Sequence, residues 1–152
     1  MSTPTTALVD VVAALKAICQ TYITANPTLL HAVYPARPSG VTEVPFAFVG
    51  PRNETVEHTS GTRTRTITPT VVIVDTYADN EQTMGRLDVV QDGLMDAFTA
   101  GYHSIGTGYG VLEQTGVLDG DISWENLLNG TVTWYRSRTF LFDKIIVTEG
   151  RN

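Results

Sequence analysis

Cysteine is nearly missing from this chain: Cys19 is the only one among 152 residues. A single thiol excludes an intrachain disulfide framework and a four-cysteine metal site. Lysine is almost as scarce, with Lys16 and Lys144 set against eight arginines. Histidine occurs at His31, His58 and His103, in no paired spacing of the kind that ligates a metal. Basic charge is outweighed, sixteen acids to ten bases for a formal net charge of −6, so there is no overall basic footprint for binding nucleic acid. Asp10, Lys16 and Gln20 interrupt the most apolar stretch, and no membrane span is expected. Met1-Ser2-Thr3-Pro4 lacks the basic start of a secretory leader, so folding in a cytoplasm is expected. The sequons at Asn53 and Asn129 then carry no meaning.

Recognisable catalytic motifs are missing as well. No glycine-x-serine-x-glycine elbow is present. Gly106-Thr107-Gly108-Tyr109-Gly110 resembles a phosphate-cradling loop only in its glycines, since it follows a helix and no Lys-Ser or Lys-Thr pair closes it. Asp119 and Asp121, on either side of Gly120, suit a tight turn as well as they suit a cation. No enzymatic activity, no metal and no organic cofactor is expected.

The chain does have enough apolar residues, 42%, to build its own core, and its length fits a single domain over residues 1–152. Leu8, Val11, Val12, Leu15, Ile18, Cys19, Tyr22 and Ile23 recur at three- and four-residue spacing and predict an amphipathic first helix. Thr3-Pro4 suits its cap and first turn, and Asn26-Pro27 its stop. Cys19 falls in the apolar stripe, as a buried structural thiol does. A second helix is predicted from Asp79-Asn80, with Asp79 and Gln82 as a capping box, to about Ala100, where Gly101 ends it. Met84, Leu87, Val90, Leu94 and Phe98 face its core; Glu81, Asp88, Asp92 and Asp96 gather beside them with only Arg86 in answer. That acidic strip is either a solvated face or a surface for arginines of a neighbouring subunit.

The rest reads as strand and turn, in keeping with 23 threonines. Strands are predicted over 44–49, 52–59, 62–67, 67–77, 111–118 and 131–147, with turns at Ser60-Gly61 and Asn129-Gly130 and a break at Pro69. The order predicts an α+β domain, an antiparallel-rich sheet with two helices packed on one face. The hairpin at 52–67 is polar on both faces and each arm spans about 26 Å, so it is expected to project and to need support from outside the chain. Arg63 and Arg65 alternate with threonines and share one face, as do Arg136 and Arg138. Stacked like charges cost stability unless acids or phosphates answer them. These arginines therefore either line a subunit interface or lumen, meeting Asp88, Asp92 and Asp96 of a neighbour, or are solvated beside Glu54 and Glu57.

In element order the chain resembles the tail terminator proteins of long-tailed bacteriophages, the minor tail protein U type. The resemblance runs through the amphipathic first helix, Val33-Tyr34-Pro35, the strand Pro45-Phe46-Ala47-Phe48-Val49, the polar hairpin, Val74-Asp75-Thr76-Tyr77, a capped helix and Trp134-Tyr135-Arg136-Ser137-Arg138-Thr139-Phe140. Residues 101–130 follow no family pattern. The resemblance implies a structural virion protein without catalytic residues. It implies a ring, generally a homohexamer, that caps the head-proximal end of the tail tube, stops addition of tube protein and offers a surface to the head–tail connector. The resemblance further implies that DNA passes through the lumen without specific binding, for which an acidic chain is suited. The alternatives are another ring of the same virion, a connector, stopper or tube subunit, or a small-molecule-binding or hydrolytic domain with the 101–110 loop as a lid.

Overall fold

The computed structural model describes residues 7–77, 81–101, 105 and 109–150. Thr3-Pro4, Asp79, His103 and most of the glycine-rich loop lie outside the described residues. In chain order the elements are α1 (Ala7–Ala25), β1 (Val33–Tyr34), β2 (Phe46–Val49), β3 (Asn53–Thr59), β4 (Thr62–Thr68), β5 (Thr70–Thr76), α2 (Glu81–Ala100), β6 (Gln114–Glu125), β7 (Val132–Phe142) and β8 (Ile145–Gly150). The fold is α+β, with two sheets where the sequence suggested one. A five-stranded sheet runs β1-β2-β5-β7-β6, and a three-stranded sheet runs β3-β4-β8. Only the β1–β2 pair is parallel.

Both helices lie on one face of the larger sheet. Period-two alternation sends Ala47, Val49, Val71, Ile73, Phe140 and Phe142 towards them, where they join Val11, Leu15 and Cys19 of α1 and Leu87, Leu94 and Phe98 of α2. Phe98 meets Phe140 and Phe142 edge-on at 5.4 and 4.9 Å between ring centroids. Cys19 is fully enclosed, and burial pushes its thiol pKa up to about 12. By length and composition α1 is apolar enough to cross a membrane, despite the interruptions at Asp10, Lys16 and Gln20; here its apolar side is packed into the core. The opposite sheet face carries Phe46, Phe48, Val72, Val74 and Trp124. The segment after β1 crosses over them: the Trp124 indole N–H donates to the Pro38 carbonyl at 2.9 Å, and the Arg37 guanidinium lies 4.3 Å from the Trp124 ring.

The two sheets share one bent ribbon. β5 pairs with β7 from Thr76↔Tyr135 to Thr70↔Leu141, and β4 pairs with β8 starting at Ile67↔Ile145. Between those pairs stand two residues on one strand, Thr68 and Pro69, and three on the other, Phe142, Asp143 and Lys144. One extra residue makes a bulge and turns the ribbon. Pro69 has no N–H to leave unpaired at that corner, and the Asp143 N–H donates to the Glu113 carbonyl at 2.8 Å. The long strand expected over 131–147 is thus two strands in two sheets. The polar hairpin is β3–β4 with its turn at Ser60-Gly61, Gly61 taking φ +82°. Its support comes from within the chain: β8 pairs along β4, and Ile67, Ile145 and Val147 carry the main core beneath it. The expectation that an outside partner must hold it is corrected, because sequence spacing did not reveal where the last strand goes.

Two glycines in α2 differ in purpose. A Cβ on Gly93 would lie 2.3 Å from Cε1 of Tyr22, so only glycine lets α1 and α2 approach there; one on Gly85 would meet nothing within 4 Å. Gly85→Ala is expected to stabilise the fold by about 0.5–1 kcal/mol through helix propensity. Gly93→Ala is expected to destabilise it by about 1–3 kcal/mol through overpacking. Denaturant titration of the two variants checks both signs.

Candidate functional site

The four arginines singled out from the sequence fall in two separate clusters, one on each sheet. On the smaller sheet, alternation puts Glu54, Val56 and His58 of β3, Arg63, Arg65 and Ile67 of β4, and Ile145, Val147 and Glu149 of β8 on one face. Glu149 is only 2% exposed. It accepts hydrogen bonds from Arg63 and, at 3.3 Å, from Nη1 of Arg65, whose Nε donates to Glu54. Burial raises the Glu149 carboxyl pKa, but the hydrogen bonds and positive charges of Arg63 and Arg65 outweigh it and hold the pKa below the ordinary value. The other face is a threonine surface, Thr55, Thr59, Thr62, Thr64, Thr66 and Thr68, bordered by the exposed Ile146 and Thr148.

The second cluster lies on the helix side of the larger sheet. Asp75, Arg136 and Asp121 stand abreast on β5, β7 and β6, and Arg138 stands opposite Asp119. Asp75 is fully buried and takes a two-pronged bond from Arg86 of α2, Nε to Oδ2 at 2.6 Å and Nη2 to Oδ1 at 2.5 Å. Arg136 donates to Asp121 at 3.1 Å and lies 5.0 Å from the Tyr77 ring. Arg138 donates through Nη1 to Asp88 at 2.6 Å and Gln91 at 2.8 Å of α2, and through Nε to Asp119 at 3.4 Å.

These contacts revise several expectations. Asp88 meets Arg138 within its own chain, and Arg86 turns to Asp75 instead of the acidic strip. Asp92 and Asp96 remain exposed further along α2. Asp119 and Asp121 form no turn; they sit on a strand against arginines. Within the chain, Arg63 and Arg65 pair with Glu149 and Glu54. The charges pair strands within each sheet and dock α2 on the larger one. Among the described residues no group of three or more His, Cys, Asp or Glu side chains could hold a metal ion.

What remains open to a partner is of another kind. β3 is exposed at all seven residues and forms one edge of its sheet. The β6–β7 hairpin ends in Leu127 and Leu128, 90% and 97% exposed, with Val132 and Trp134 half-exposed on the strand behind them. The loop is internally bonded: Asn126 N–H to Thr131 C=O at 2.7 Å, Gly130 N–H to Asn126 C=O at 2.8 Å, and the Asn126 and Asn129 side chains accepting from Leu128 and Thr131 N–H. Leu127 and Leu128 are the most exposed large apolar side chains among the described residues. The adjacent leucines in Asn126-Leu127-Leu128-Asn129-Gly130, between two strands, are the sequence signal for this apolar tip.

No protein-family model matches the chain, and no curated protein shows significant similarity to it.

The buried acid gives a pH signature. A carboxylate whose folded pKa is depressed contributes stability above its unfolded value, here about 4.5, and loses it as pH falls through the folded pKa. Wild-type stability should fall below about pH 4.5, and Glu149→Gln should flatten that part of the profile. Arg63→Ala with Arg65→Ala strands the carboxylate and is expected to cost about 2–3 kcal/mol at pH 7, below the full buried-pair penalty because Arg63 is partly exposed. Urea unfolding as a function of pH reads both effects.

Proposed function

We propose that this chain is a structural virion protein, a ring-forming tail terminator that caps the head-proximal end of a phage tail tube. The observation that carries the reading is the pairing of a self-contained charge network with an ordered apolar projection. Arg63, Arg86 and Arg138 are spent on internal ion pairs, within the smaller sheet and between α2 and the larger one, while the β6–β7 tip holds two leucines in solvent. That is the economy of a subunit built to be assembled rather than to turn over a substrate. The resemblance in element order noted from the sequence points the same way. The acidic balance suits a channel through which DNA slides without sticking.

In this role identical subunits meet through unlike surfaces that close by rotation into a ring, generally a hexamer. One side of the ring covers the last layer of tube protein and stops its growth; the other receives the head–tail connector. The protein works in the virion, at the head end of the tail, after assembly in the bacterial cytoplasm.

The test is tube growth in the presence of the purified chain. Tail tube subunits from the same virus, polymerising on their initiator, should stop elongating when the chain is added and carry a ring at the free end. Tubes that lengthen equally with and without the chain would contradict the proposal.

A further inference from the structure

The leucine tip and an unfilled groove on the same chain match one another. The groove holds about 440 Å³ and is lined by Val9, Val12 and Ala13 of α1 with Pro35 and Ala36 after β1; Lys16 and Arg52 are its charged members. Val9 is left 68% exposed there. We propose that Leu127 and Leu128 of one copy insert into the α1 groove of the next, with Glu125 at the base of the tip facing Lys16 and Arg52. This rests on the ring reading and names its subunit contact.

Sheet register places tip and groove far apart in one chain. β1 and β6 are the opposite edges of the five-stranded sheet. The tip extends beyond the pairs Glu125↔Val132 and Thr76↔Tyr135, at the Phe46↔Val74 end of the strands. Pro35 follows the pair Tyr34↔Phe48, and Arg52 follows Val49, both at the other end. Tip and groove therefore stand at diagonally opposite corners and cannot meet within a chain. A contact between unlike corners of identical subunits is head-to-tail, and it closes into a ring when its rotation divides a full turn. The occupant is chosen by complementarity. Both surfaces are apolar, the carboxylate is on the tip and the cations are at the groove.

The full chain is compared with Leu127→Asp/Leu128→Asp and with Val9→Asp by sedimentation over a range of concentrations. Each variant should self-associate about a hundredfold more weakly than the parent, with unchanged thermal stability, since these side chains are exposed in the monomer. Mixed together, the two variants should form a one-to-one dimer and nothing larger, because only one intact tip and one intact groove remain to pair. Leu128→Cys mixed with Val9→Cys should give an intermolecular disulfide, the enclosed Cys19 staying out of the reaction. Rings that persist in the tip variant overturn the contact and leave the ring reading standing. Assembly through tip and groove into open chains or dimers supports the contact and removes the terminator role. A parent chain that stays monomeric at every concentration, and at the ends of tail tubes as well, overturns both. A Val9→Asp variant that loses thermal stability but not association puts a segment of the same chain in the groove, and the contact falls.

Discussion

One extra residue at the ribbon corner sets the shape of this molecule. Because Phe142, Asp143 and Lys144 stand opposite Thr68 and Pro69, the paired strands leave one sheet and enter the other. The core follows them round the bend, from Phe140 and Ile73 to Ile67, Ile145 and Val147. Without that turn the polar hairpin would be a two-stranded arm with no footing, since an isolated hairpin is marginally stable at best. With it, the last strand closes the hairpin into a three-stranded sheet that shares the main core.

A chain with a formal charge of −6 buries acids here where arginine stands ready to answer them. Glu149 and Asp75 each sit near the end of an apolar strand, in phase with its inward residues, and each is answered by arginine. Removing one partner of such a pair leaves a charge uncompensated in a poor dielectric, which makes these groups structural. Arginine suits the task better than lysine, because its planar fork binds a carboxylate at two points. The chain's preference for arginine thus reflects internal pairing at Arg63, Arg65, Arg86, Arg136 and Arg138.

Much of the fold is legible in the sequence, and the limits have physical causes. The three- and four-residue stripe from Leu8 to Ile23 marks α1, and it is buried as its spacing indicates. Gly61 and Gly130 take the positive φ that their hairpin turns need. Pro69 marks a break, yet nothing local says that the chain changes sheets there, because strand partnership is a long-range property. For the same reason the alternation of Arg63 with Arg65 fixes their common face but not their partner, Glu149, on the final strand. Glu149 itself has a signal, standing in step with Ile145 and Val147, and so does Asp75 after Val71 and Ile73. An acid in phase with buried apolar residues points to an internal cation. Leu127 and Leu128 break the usual polarity of a turn, a departure that is visible in the sequence itself.

The proposed ring is tested most directly by the mass of the purified full chain in solution, measured alongside electron micrographs of the same sample. The proposal predicts a single closed species whose mass is a small multiple of 16.5 kDa, seen as rings with a central channel. A homogeneous 16.5 kDa particle at every concentration, with no rings on the grid even when tail tubes are added, would contradict it.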